Sequence, residues 1–334
     1  MRDLSRSVMF HKPPPLLRNL ELLGIPSDFF FADPSISLVS NLTHLELGTV
    51  PHLPPLRGLH ELLLRNPRLE SLFLDMSMVD QVHLSIGFPE GANINLPCLR
   101  RFALKEPRST DWALSILRMI DAPGVEEFTL DLSHTQHPVL PGVVALYVAC
   151  GRESGRLINA HFLTQRDHIH QSFPNIGPLF PVLRHLKLGA FPDDPKYLEL
   201  LLRFQGSTIT RLDWELEESC EGAILELAKS PAPCRRLEHL RVYGVPSDEL
   251  VELVQSRISL GVPLKIIEIN SRDWSSISKE VKEHLGSVLD KFGQYVDENE
   301  SDSDEDSDWT DTDDEDDDNS DGSTSDSTGS EASG

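Results

Sequence analysis

The chain of 334 residues carries 54 acidic against 30 basic side chains, a net charge of −24. The excess sits at one end: residues 297–334 hold eighteen Asp or Glu and no Lys or Arg, leaving 36 acids and 30 bases, net −6, for residues 1–296. Charge of this sign repels phosphodiester backbones and anionic headgroups, which excludes nucleic acid and membrane surfaces as partners.

Residues 1–15 read as an N-terminal extension with Pro13-Pro14-Pro15 and no apolar leader core. From there to residue 296 one pattern recurs, apolar-x-x-apolar-x-apolar, first as Leu17/Leu20/Leu22. Its middle positions are Leu20, Leu45, Leu72, Phe102, Phe128, Ala160, Leu186, Leu212, Leu240 and Ile267. They are separated by 25, 27, 30, 26, 32, 26, 26, 28 and 27 residues. The last three pattern positions alternate with period two, which predicts a short strand with one buried face. Between them, residues 56–65, 112–120, 197–204, 222–229 and 249–257 switch to helical spacing, and Pro or Gly stops several of these runs. Strand, turn and helix at this period predict an α/β leucine-rich-repeat solenoid of about ten units. Parallel strands would line the concave side of its horseshoe and helices the convex side, because one unit alone cannot bury its apolar face.

The position three residues past each pattern holds Ile25, Val50, Ser77, Pro107, Ser133, Phe191, Glu217, Val245 and Arg272, so no ladder of Asn joins the turns and the units should be irregular. The least regular stretch is 138–180, with 151–155 as a loop. Residues 278–292 predict an amphipathic capping helix with Ser278 as N-cap. Residues 297–334 lack the apolar content to fold and predict a disordered acidic Ser/Asp-rich tail. Cys98, Cys150, Cys220 and Cys234 are far apart with no CxxC pair, which fits a reducing compartment, cytoplasmic and/or nuclear. The longest near-apolar run, 139–150, is interrupted by Pro141 and Gly142 and falls short of the about 20 residues a membrane span needs.

Several stretches carry a resemblance. Leu42-Thr43-His44-Leu45-Glu46-Leu47 is one, and the run from Leu59-His60-Glu61-Leu62 through Asn66-Pro67-Arg68-Leu69 to Leu72 is another. Asn95-Leu96-Pro97-Cys98-Leu99-Arg100-Arg101-Phe102 and the closing segment with Glu283, His284 and Leu285 complete the set. Across residues 14–295 the chain resembles the leucine-rich-repeat region of F-box-like domain-containing proteins of mushroom-forming (basidiomycete) fungi. The resemblance implies a substrate-recognition part of an SCF-type ubiquitin ligase: a protein substrate on the repeats and a Skp1-type adaptor on an F-box. An F-box is not evident before the first repeat. Leu53-Pro54-Pro55-Leu56 with Leu59, Leu62 and Leu63 is superficially like an F-box opening, but its spacing between two strands reads as a repeat helix.

Catalytic chemistry finds no constellation. His161, Asp167, His168 and His170 are the densest set of ligand-type residues, yet no second pair completes a site, and they read as a solvated loop, as do His134 and His137. Ser154 in Gly-Arg-Glu-Ser-Gly lacks the nucleophile-turn arrangement, and no phosphate-binding glycine motif occurs. The expectation is no catalytic residue, no cofactor, no metal and no enzyme.

Binding chemistry is more readable. Side chains flanking each anchor should face outward, and His185, Lys187, Arg211, His239 and Arg241 then gather in the second half. They predict a basic concave patch for an acidic or phosphorylated protein segment, since Arg grips carboxylate and phosphate bidentately; the alternative is an ordinary mixed polar surface. In the tail, Ser301, Ser303, Thr310 and Thr312 each have an acid three residues on, the preference of acidophilic kinases of the casein kinase 2 type. The tail, so charged, is a candidate competitor for the patch. A second functional class, an acidic-tailed leucine-rich chaperone for basic proteins such as histones, joins the same two parts.

Overall fold

The computed structural model of the chain describes residues 16–32, 38–79, 93–131, 178–189, 201–202, 206–215, 223–230 and 232–296. Its elements are β1 (Asn19–Pro26), α1 (Ser27–Ala32), β2 (His44–Val50), α2 (Leu56–Leu64), β3 (Ser71–Asp75), β4 (Ile94–Asn95) and β5 (Arg101–Lys105). There follow α3 (Thr110–Met119), β6 (Ile120–Asp121), β7 (Glu127–Asp131), β8 (His185–Gly189), β9 (Arg211–Glu215) and a 3-10 helix (Ala223–Ala228). The series closes with β10 (His239–Tyr243), α4 (Ser247–Ser259), β11 (Ile266–Asn270), α5 (Ser271–Trp274), α6 (Lys279–Val288) and β12 (Lys291–Tyr295). All belong to a compact unit Met1–Tyr295, with Val296–Gly334 a second unit.

Ten strands make one sheet in the order β1-β2-β3-β5-β7-β8-β9-β10-β11-β12, every neighbour parallel, while β4 and β6 pair separately. The register aligns the sequence pattern with itself. Leu20 faces Leu45, then Leu72, Phe102, Phe128, Leu186, Leu212, Leu240, Ile267 and Phe292 stand in one row. All of that row but Phe292 is buried, and the residue two further on is buried from Leu47 to Ile269. Polar residues between them stay half-buried or exposed at most rungs, because successive side chains leave a strand on opposite faces.

A second device fixes the register. At each step one carbonyl accepts two backbone N–H groups of the next unit: Arg18 O from Thr43 and His44, Thr43 O from Glu70 and Ser71, Glu70 O from Arg100 and Arg101, all at 2.8–3.1 Å. The same arrangement runs through Arg100, Glu126, Arg184, Thr210 and Glu238. It passes directly from Glu126 to Arg184, as β7 pairs directly with β8. A rung at Ala160 therefore does not stand between them, and residues 157–162 lie outside the described residues.

Helices close the apolar face. α2 buries Leu56, Leu59, Leu62 and Leu63, and Trp112 of α3 is fully buried with its indole N–H donating to Pro54 O at 2.9 Å. Phe102, Phe128 and Phe180 pack as an aromatic cluster, with centroids 5.4, 4.9 and 6.2 Å apart, behind β5 and β7. Asn66 ties two units together: its Oδ1 accepts from Leu42 N at 2.8 Å and its Nδ2 donates to Leu62 O at 2.8 Å and Val39 O at 3.4 Å.

Two expected elements differ. Within the segment 222–229, Ala223–Ala228 form a 3-10 helix rather than an α-helix. The closing helix begins as expected, Ser278 Oγ accepting from Val281 N at 3.2 Å, but it ends at Val288 rather than 292. Leu289 turns to extended backbone, and Lys291–Tyr295 adds a tenth strand instead of a last helical turn. Among the described residues no helix is long and apolar enough to cross a membrane. The tail, 297–334, lies outside the described residues.

Candidate interaction surface

The strands present two columns of side chains on the open face of the sheet. From β7 to β12 the first column is Glu127, His185, Arg211, His239, Ile266 and Lys291. The second is Thr129, Lys187, Asp213, Arg241, Glu268 and Gly293. The five residues expected to form a basic patch, His185, Lys187, Arg211, His239 and Arg241, thus lie on three adjacent strands and share one face.

Each of the five meets a carboxylate. Lys187 Nζ is 2.9 Å from Glu127 Oε1, and His185 Nδ1 is 3.6 Å from the same oxygen. His185 Nε2 lies 3.0 Å from Asp213 Oδ2. Arg211 donates twice to Asp213, Nε to Oδ1 at 2.8 Å and Nη2 to Oδ2 at 3.1 Å. Glu268 gathers three partners: His239 Nε2 at 3.0 Å, Arg241 Nη2 at 3.0 Å and Lys291 Nζ at 2.6 Å. Arg241 also lies over the Tyr295 ring, 4.4 Å from its centroid.

The electrostatics follow from this geometry. Burial resists the charge of Glu268, but hydrogen bonds from Lys291, Arg241 and His239 override it and hold the carboxyl at about 2. Asp213 is likewise opposed by burial, yet His185 and Arg211 hold it far below the usual carboxylate range. Glu127 is lowered against burial by Lys187 first and then His185 and Arg101. Burial also lowers His239, and its bond to Glu268 does not fully compensate. Arg211 is raised, Asp213 outweighing burial. Three carboxylates beneath four permanent cations make an ordered, nearly balanced array rather than a simple basic patch.

Lys291 and Tyr295 belong to this surface; Lys291 falls in the segment 278–292 that reads as helix, and Tyr295 just beyond it. The signal that marks them is Leu289-x-x-Phe292, with Phe292 spaced 25 residues after Ile267, inside the range of the other gaps. At the opposite end, β1 and β2 bring Glu21, His44 and Glu46 together. His134, His137, Ser154, His161, Asp167, His168 and His170 lie outside the described residues, as do Ser301, Ser303, Thr310 and Thr312.

No known family model matches the chain, and no curated protein matches it either.

Proposed function

We propose that the chain is a protein-interaction module of the leucine-rich-repeat type, a horseshoe with its parallel strands on the concave side. Its open face over β7–β12 captures an extended acidic or phosphorylated segment of a partner protein. On this reading the resemblance to F-box-like proteins assigns it the substrate-recognition role. The supporting observation is the way Arg211 and Arg241 are held. Each spends Nε and Nη2 on a carboxylate of its own sheet. Nη1 of each has no partner among the described residues, so donors remain for a ligand in a fork already fixed in place.

The test is binding of a fluorescent acidic peptide and its phosphorylated form to the full chain, with Arg211→Gln and Arg241→Gln beside it. Tighter binding of the phosphorylated form, weakened about ten-fold in each variant, supports the reading; equal binding by all three proteins refutes it. A parallel capture of Skp1-type adaptor and of histones separates the ligase role from the chaperone role, which the eighteen tail acids favour.

A further inference from the structure

We propose that Glu21, His44 and Glu46 form a binding site for a divalent transition metal of the zinc class at the β1–β2 end of the open face. Glu21 is directly opposite Glu46 in the parallel register, and Asn19 opposite His44. Like charges so placed repel. Elsewhere on this face the carboxylates of Glu127, Asp213 and Glu268 each have a Lys or Arg partner. For Glu21 and Glu46 the charged-group contact among the described residues is the His44 imidazole alone.

The spacing suits a metal. His44 Nε2 is 3.7 Å from Glu21 Oε1 and 3.7 Å from Glu46 Oε2, and the three ligand atoms lie within 4.8 Å of one another. The nearest point equidistant from three such atoms, in their own plane, is about 2.0–2.4 Å from each, against about 2.0–2.2 Å for zinc bound to imidazole nitrogen and carboxylate oxygen. An ion seated above that plane needs the three atoms drawn closer together. Closing the difference takes a few tenths of an ångström of side-chain rotation, which the exposed Glu21 can supply. The imidazole also packs against the Phe73 ring, centroids 5.3 Å apart. A nitrogen ligand between two carboxylates disfavours calcium and magnesium, which prefer oxygen alone, and favours zinc, cobalt or nickel. Two carboxylates neutralise the dication, and the exposed position leaves coordination sites open to water or to a donor from a bound protein.

The test is titration of the full chain with Co2+, read by visible absorption and displaced with Zn2+. The tail is an internal control: its eighteen carboxylates bind cations weakly through oxygen, and residues 297–334 contain no histidine. The expected result is one saturable equivalent with an intensified, nitrogen-shifted band, at least ten-fold weaker in both His44→Ala and the near-isosteric Glu21→Gln. Circular dichroism checks that each variant is folded, and Glu21→Gln decides the matter if His44→Ala is not. An unchanged titration in the folded variants, or no saturable component in the parent chain, overturns the proposal.

Discussion

Replacing Glu268 with Gln removes the negative centre of the β10–β12 end while preserving shape. Glu268 is buried and holds His239, Arg241 and Lys291, and its carboxyl sits at about 2 rather than the ordinary 4.5. A shift of that size corresponds to roughly 3 kcal/mol before screening. Lys291 is 59% exposed and Arg241 31%, so solvent weakens both pairs and about 1–2 kcal/mol remains. For a chain of this size that is roughly 2–8 °C in Tm. A depressed carboxyl stabilises the fold above its unfolded value and loses that contribution as pH falls through the folded value. Urea unfolding of the parent and Glu268→Gln should therefore differ fully at pH 7, about half as much near pH 3, and hardly at all below about 2. Equal stability at pH 7, or a gap that stays constant down to pH 3, would refute the account of this cluster.

Phe128→Ala opens the aromatic cluster behind β5 and β7 and should cost about 3–5 kcal/mol, seen as a lower urea midpoint. Arg257 is fully buried, meets no carboxylate among the described residues and donates to the carbonyls of Leu227, Pro233 and Cys234, so Arg257→Met should destabilise by about 2–4 kcal/mol as those acceptors lose their donors. A variant as stable as the parent would show that removing a buried charge outweighs them. Cys98 is exposed, whereas burial pushes the Cys234 thiol up to about 12; alkylation at pH 8 with peptide mapping should label Cys98 and spare Cys234.

Much of the fold is legible in the sequence because each rung is local and repeated. Nine of the ten pattern anchors of residues 16–296 become sheet positions, eight of them after Leu20 each paired with the one before. The tenth strand escaped notice because Gln294 occupies the place of the third apolar residue, and Ser278 with Val281 and Leu285 gives a true helix start just ahead of it. Residues that face outward were also legible, since period two fixes them once the anchor is known. Their partners were not. Glu268 and Arg241 are 27 residues apart, and Lys187 lies far along the chain from Glu127. Only the register, including the direct step from β7 to β8, brings such charges within reach.

That register also explains why the two ends of the face have different chemistry at the same spacing. In a parallel stack every residue stands beside its counterpart one unit on, so the order of signs along a column decides whether neighbours attract or repel. In the second column from Lys187 to Glu268 cations and acids alternate, and Arg211, His239 and Lys291 of the first column reach those same acids, so the result is a set of guanidinium groups fixed by their own sheet. An acidic ligand there must engage the donors that Asp213 and Glu268 leave over, and it gains less from net charge than from forks already oriented. Glu268→Gln separates those two contributions, since it frees donors of Arg241 and Lys291 while loosening their placement. If fixed placement governs, the variant binds a phosphorylated segment more weakly despite its added positive charge. If net charge governs, it binds more tightly. At β1–β2 the column instead sets Glu21 against Glu46, and among the described residues the charged group that meets both is the His44 imidazole.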